Sequence, residues 1–341
     1  MTDWANRIHQ GDALEVLHMM PGSLVHCVIT SPPYWGLRDY KVDGQVGLEG
    51  TPEEYVVKMV EVFREVRRVL RDDGTLWLNI GDSYATNRSY QVTDSKHIDV
   101  GNTKGAAVPV GLKPKDLLMM PARVALALQA DGWWLRSDIV WSKPNPMPES
   151  VSDRPTRSHE YIFLLAKSAR YHYDANAIKE PGSQATISRL SQDSFVTQNG
   201  GPKDTKTGNR SHRKVLENLK RKINKQRGHS RRHAGFNDLW DHMTKEEQCA
   251  LMRNKRSVWT IPVHPFHEAH FATFPEKLVE PCILAGCPEG GIVLDPFMGA
   301  GTTALVAVKA RRDFIGIELN PEYIEIAGHR LKSEMEQGRL L

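Results

Sequence analysis

Gly291-Ile292-Val293-Leu294-Asp295-Pro296-Phe297-Met298-Gly299-Ala300-Gly301-Thr302-Thr303 reads as a short apolar strand that turns through glycines into a helix. Gly299 and Gly301 let the backbone turn tightly and approach a ligand, and the helix that follows offers free N–H groups to an anion. The next apolar run, Asp313–Glu318, ends on an acid 17 residues after Gly301. In strand–turn–helix–strand units an acid at that place commonly takes ribose hydroxyls. An ordinary βα turn would use the same glycines, but with Glu318 the pattern reads as a site for an adenosine-containing cofactor. The Gly-Lys-Ser/Thr ending of a phosphate-cradling loop is missing, and so is the full Gly-x-Gly-x-x-Gly of NAD binders.

The pattern repeats on either side. Leu24–Thr30 is a β-branched run stopped by Ser31-Pro32-Pro33, which predicts a buried strand. Thr51-Pro52-Glu53-Glu54 opens a helix with Thr as cap and proline at the first position. Its apolar positions are Val56, Met59, Val60, Phe63, Val66 and Leu70; Asp72-Asp73-Gly74 would end it, and Thr75–Ile80 would be the next strand. Helices are expected at Leu117–Ala130, from Phe274, at Thr302–Lys309 and from Pro321, with strands at Trp134–Trp141 and Glu160–Ala166. Alternating strands and helices predict an α/β fold with a doubly wound, mostly parallel sheet. Residues 82–115, rich in Ser, Asn, Thr, Gly and Lys, read as a mobile insertion.

A second constellation closes the early strand: Thr30-Ser31-Pro32-Pro33-Tyr34-Trp35. Ser31 and Pro32 both precede proline and are pushed to extended backbone. Neither proline has an N–H, so the loop offers acceptors: the Ser31 hydroxyl and the Pro32 carbonyl, beside the Tyr34 ring. Such a site suits a planar base with an exocyclic amine, as in a flipped-out nucleotide. A Pro-Pro turn with buried aromatics would have the same composition.

Of the 341 residues 40% are apolar, enough for a sizeable core, and the net charge is only +4. That charge is uneven. Arg170–Arg256 holds 19 Lys/Arg against 9 Asp/Glu, and within it Arg210–Arg232 holds ten basic residues and one acid. The stretch is either a solvated surface or a contact for a polyanion. Four scattered cysteines without a Cys-x-x-Cys pair exclude a disulfide scaffold. No apolar run is long enough for a membrane span, and the N-terminus lacks a signal-peptide pattern, so a soluble, cytoplasmic protein is expected. His264, His267 and His270 do not read as a zinc site, because Pro265 interrupts them and no cysteine is spaced to help. Trp133, Trp134 and Trp141 read as core residues of a strand pair.

Taken together, Ser31-Pro32-Pro33-Tyr34 and Asp295-Pro296-Phe297-x-Gly299-x-Gly301-Thr302-Thr303 resemble the catalytic and cofactor motifs of the amino-methylating DNA methyltransferases. Their order, catalytic motif first and cofactor motif last, is that of the family's β class. The resemblance implies a Rossmann-like methyltransferase fold made of 1–169 and 257–341, with 170–256 as a basic target-recognition insertion. It implies S-adenosyl-L-methionine as cofactor, double-stranded DNA as partner and no metal. It also suggests a cognate restriction endonuclease, in a bacterium or a phage-infected cell.

By that resemblance, Asp295 and Phe297 would contact the cofactor, Gly299 and Gly301 would allow its close approach, and Thr302 and Thr303 would meet its carboxylate. Glu318 would hold the ribose, Asp12 would sit near the adenine amine, and His270–Pro275 would close over the methionine end. Ser31, Pro32, Pro33 and Tyr34 would hold the target base. Serine before Pro-Pro-Tyr is the family's usual mark of cytosine N4 methylation, with adenine N6 as the alternative; a catalytically silent DNA-binding relative and RNA as substrate are the remaining ones. With DNA as partner, Arg210, Arg213, Lys214, Lys220, Arg221, Lys222, Lys225, Arg231 and Arg232 read as phosphate contacts. Asp153, Arg154 and His159 lie on a loop that the family places near DNA.

Overall fold

The computed structural model describes residues 3–37, 42, 44–85, 111–180, 253–263 and 274–338. The chain divides into two compact units, Met1–Ala177 with Arg256–Leu341, and Ile178–Lys255. Nearly all of the second lies outside the described residues; Glu180 and Arg253 pair within it by a backbone bridge and an ion pair of 3.0 Å. The first eight residues of the basic stretch belong to the first unit, where the Asp174 N–H donates to the Ala285 carbonyl at 2.9 Å.

In the first unit, the described strands are β1 (Arg7–Gln10), β2 (Val25–Thr30), β3 (Leu70–Ile80), β4 (Trp134–Ser142), β5 (His159–Ala166), β6 (Val258–Thr260), β7 (Ile292–Asp295) and β8 (Asp313–Glu318). They form one sheet in the order β1-β8-β7-β2-β3-β5-β4-β6, in which β5 alone runs against its neighbours. Helices α1 (Ala13–Met19), α2 (Pro52–Val69) and α3 (Met120–Ala130) pack side by side, as do α4 (Glu276–Gly286), α5 (Thr302–Lys309) and α6 (Pro321–Gly338). The sheet is therefore doubly wound, Rossmann-like and mostly parallel.

Local sequence explains these elements. Thr51 caps α2 through a complete capping box with Glu54, and Pro52 stands in the first turn. Its buried face is Tyr55, Met59, Val62, Phe63, Val66 and Val69, so Val56 and Val60, expected on that face, are only half-buried. β2 is apolar and buried along nearly its whole length because β7 and β3 flank it and helices cover the sheet. Val28, Leu76, Leu78, Leu294, Ile315 and Ile317 join the core beneath α1, α2 and α3.

Some boundaries differ from the sequence reading. β3 begins at Leu70, paired with Val25, while Thr75 pairs with Cys27. Asp72-Asp73-Gly74 thus bulges within the strand instead of separating it from α2, because Leu70 is fully buried in the core. α3 starts at Met120, after Met119 in a left-handed conformation. Trp133 and Trp141 are buried, but Trp134 is 49% exposed, since strand alternation turns it outward. Of 82–115, residues 86–110 lie outside the described residues; the flanks join through Ala85–Asp116 and Lys115–Ala85 backbone bonds, both 2.8 Å. β1, α1 and β6 had no specific counterpart in the sequence reading. No helix among the described residues is long and apolar enough to cross a membrane.

Candidate active site

Strands β7 and β2 lie side by side and parallel, although one follows the other by some 265 positions. From this pair the chain winds outward in both directions, to β8 and to β3. In such sheets the crevice outside the strands' carboxyl ends is where ligands bind. Both motifs begin there.

Asp295 ties them together. Its Oδ1 accepts from the Thr30 hydroxyl at 2.6 Å and from the Phe297 N–H at 3.1 Å, and its Oδ2 accepts from the Thr303 hydroxyl at 2.7 Å. The side chain is fully buried, which pushes its carboxyl up to about 6 against the pull of those donors. Asp295 and Thr303 therefore face the protein interior and do not line the cavity. Gly301 does not line it either. Its φ is +80°, and a Cβ there would meet the Ala327 Cβ at 2.7 Å, so this glycine admits α6 against the turn.

A cavity of about 500 Å³ opens over the strand ends. Phe297, Gly299, Thr302, Glu318 and Asp12 line one part, and Ser31, Pro32, Pro33 and Tyr34 another. The Glu318 carboxylate accepts from the Gly299 N–H at 2.7 Å and the Asn320 N–H at 2.8 Å; burial raises its carboxyl and these backbone donors lower it. Asp12 caps α1, accepting from the Leu14 and Glu15 N–H groups at 2.9 and 3.1 Å. Pairing of Gln10 with Glu318 sets the two acids on neighbouring strand ends. The Thr302 hydroxyl accepts from Arg330 at 3.1 Å. Of the expected closing segment, Phe274 lines the cavity and Pro275 stands at the start of α4, whereas residues 270–273, with His264 and His267, lie outside the described residues.

The Ser31–Tyr34 loop is held from behind. The Tyr55 hydroxyl donates to the Pro33 carbonyl at 3.0 Å. The Tyr34 ring lies against Gly81, where a Cβ would come within 2.6 Å of it. The Ser31 hydroxyl donates to the Tyr34 oxygen at 3.3 Å, and Tyr34 donates to Glu160 Oε2 at 2.8 Å. Burial, with the Glu160 charge second, pushes the Tyr34 phenol well above its ordinary range.

Asn79, Lys143 and Glu160 were missed by the sequence reading, and all three line the cavity. Asn79 carried a signal, a lone amide in the apolar strand Leu76-Trp77-Leu78-Asn79-Ile80. His159, expected on a loop, opens β5 instead, and Glu160 follows it in the strand. Of that loop, Asp153 pairs with Lys115 at 2.7 Å, and Arg154 pairs with Glu149 and lies 3.9 Å from the Tyr84 ring centre. Arg210, Arg213, Lys214, Lys220, Arg221, Lys222, Lys225, Arg231 and Arg232 lie outside the described residues. Among the described residues no group of three or more His, Cys, Asp or Glu is placed to hold a metal ion.

Comparison with known proteins identifies the family. Residues 25–329 match the family N6_N4_Mtase, described as DNA methylase. The Type II methyltransferase M.Cfr9I of Citrobacter freundii is 43% identical over 96% of this chain and 88% of its own length. M.SmaI of Serratia marcescens is 42% identical over 95% and 90%. A Thermus thermophilus protein, solved with S-adenosyl-L-methionine, has the same fold: its TM-score is 0.55 at 23% identity, covering 96% of this chain and 93% of that one. The cytosine-N4-specific PvuII DNA methyltransferase gives 0.54 at 19% identity, over 96% and 89%. With both motifs at the carboxyl ends of β2 and β7, and a family match across most of its length, this chain belongs to the N6_N4_Mtase family of S-adenosyl-L-methionine-dependent DNA methylases.

Proposed function

We propose that this DNA methyltransferase modifies the N4 amine of cytosine in double-stranded DNA, as the modification partner of a restriction endonuclease in a bacterial or phage-infected cytoplasm. The observation that carries the reading is the Ser31 hydroxyl, fixed by Tyr34 in the same cavity as the glycine turn and Glu318. Serine, not a carboxylate or amide, stands before Pro-Pro-Tyr.

The residues present fit the cofactor. Phe297 offers an apolar face, Glu318 a pair of acceptors at the end of β8, and a Cβ at Gly299 would meet nothing within 4 Å, which leaves the turn open. Asp12 would lie toward the adenine amine, and Thr302 at the helix start toward the carboxylate. S-adenosyl-L-methionine supplies an electrophilic methyl group on a positively charged sulfur.

The chain's task is then to present the amine. An aromatic amine is a poor nucleophile because its lone pair is delocalised into the ring. Acceptance of its hydrogens by Ser31 and the Pro32 carbonyl favours a pyramidal nitrogen with a free, directed lone pair. Such positioning and preorganised dipoles contribute several kcal/mol. Tyr34 stacks on the base taken out of the duplex, and no covalent enzyme intermediate is needed.

Nucleoside mass spectrometry of unmethylated duplex DNA incubated with protein and S-adenosyl-L-methionine tests the reading. N4-methylcytosine is expected. N6-methyladenine would overturn the base assignment, and unmodified DNA would overturn the assignment of Ser31 to an amine in duplex DNA. Treated DNA should resist an endonuclease that cuts at the mapped modified sequence.

A further inference from the structure

Presenting the amine leaves its proton unassigned. A nitrogen that gains a methyl group carries one proton too many until an acceptor removes it. Asp295 is sealed from the cavity by its three donors. Glu160, at the start of β5, is the carboxylate joined by hydrogen bonds to Ser31. The links run in one direction, Ser31 hydroxyl to Tyr34 oxygen at 3.3 Å, then Tyr34 hydroxyl to Glu160 Oε2 at 2.8 Å. Lys143 donates to Glu160 Oε1, and Asn79 Nδ2 donates to Oε2 at 3.2 Å. Asn79 is itself oriented by donating to the Tyr161 carbonyl at 3.1 Å. The Glu160 and Lys143 side chains are only 16% and 18% exposed, yet both reach the cavity.

We propose that Ser31, Tyr34 and Glu160 form a proton relay from the target amine to the Glu160 carboxylate, with Lys143 and Asn79 fixing its terminus. The nitrogen lone pair forms the new N–C bond while the carbon–sulfur pair stays on sulfur, so the positive charge moves to nitrogen. The N–H bond then breaks toward Ser31 Oγ and its electron pair returns to nitrogen. The Ser31 hydrogen passes to Tyr34, and the Tyr34 hydrogen to Glu160 Oε2. One proton leaves the amine and one arrives at the carboxylate; both hydroxyls end neutral, with their donor directions reversed. Because burial disfavours a free tyrosinate, Tyr34 gives up its proton only as it receives one. After product release the Glu160 acid returns its proton to water.

The relay rests on the target amine lying at Ser31, as in the proposed function, and serves cytosine and adenine alike. The test is the single-turnover methylation rate of unmethylated plasmid DNA in light and heavy water, with the product nucleoside identified. The wild-type rate should fall in heavy water. Glu160→Gln should lose that solvent isotope effect and be slower by about 100-fold, the scale of lost acid–base assistance, with cofactor and DNA affinities unchanged. Tyr34→Phe should be similarly slow, and the double variant no slower than either. A Glu160→Gln protein with the wild-type rate, or a slow one that keeps the wild-type solvent isotope effect, would overturn the relay. So would loss of cofactor or DNA binding in parallel with rate. Should Glu160→Gln fail to fold, a wild-type rate equal in both waters would overturn it. N6-methyladenine as product would overturn the cytosine assignment and leave the relay to be decided by the rates.

Discussion

Gly81 is the residue on which the position of Tyr34 depends. A methyl group there would come within 2.6 Å of the ring. Gly81→Ala should displace the ring and lower single-turnover methylation on the order of 100-fold, the cost of small misplacements at a reacting centre. Cofactor affinity should be unchanged, because Gly81 does not touch the part of the cavity around Glu318; a variant with full activity would show that the ring yields at no cost. Asp295 sets a pH dependence. Its carboxyl lies at about 6 folded against 3.8 unfolded, so below pH 4 it is protonated in both states and imposes no charge penalty. Between pH 4 and 6 the unfolded chain sheds the proton first, and the native state loses about 3 kcal/mol relative to it. Chemical denaturation of wild type and Asp295→Asn should therefore diverge in the variant's favour as pH rises through that window. A constant difference would mean that the three donors hold the carboxylate charged throughout. Neither property is written in the motif: the sequence marks Asp295 as important, while its inward orientation follows from Thr30 and Thr303 reaching it across the β2–β7 seam.

At the scale of elements, starts were more legible than buried faces. Thr51 announces α2 because a cap is a local arrangement, complete within four residues. Thr51→Ala should cost about 1 kcal/mol in thermal or chemical unfolding and leave methylation unaffected; no loss would mean that α2 is held by its core face alone. The bulge after Leu70 was illegible, since it depends on where Val25 places its partner strand. Gly301 shows the same limit. The sequence suggests a glycine for ligand approach, but the structure sets Ala327 of α6 against it. Gly301→Ala combines a left-handed φ with a steric clash and should lose roughly 2–4 kcal/mol of stability. Retained stability would require α6 to shift, which would appear as faster amide exchange in that helix.

At the scale of the whole molecule, charge was legible and shape was not. The basic excess of Arg170–Arg256 is a property of composition, and we expect it to contact DNA phosphates. Neutralising Lys220, Arg221, Lys222 and Lys225 together should weaken duplex binding and reduce the slope of log affinity against log salt by about 0.9 for each phosphate left without its cation. An unchanged slope would remove these residues from the interface. The sequence by itself determined the alternation of strands and helices, the capped start of α2 and the two motifs, because each depends on neighbours within a few residues. Tertiary structure alone decided that β7 lies beside β2, that Asp295 and Thr303 turn inward, and that Asn79 of β3 and Glu160 of β5 meet Tyr34, with Lys143, just past β4, on Glu160. Those contacts join positions tens to hundreds of residues apart, and only the packed sheet brings them within hydrogen-bonding distance.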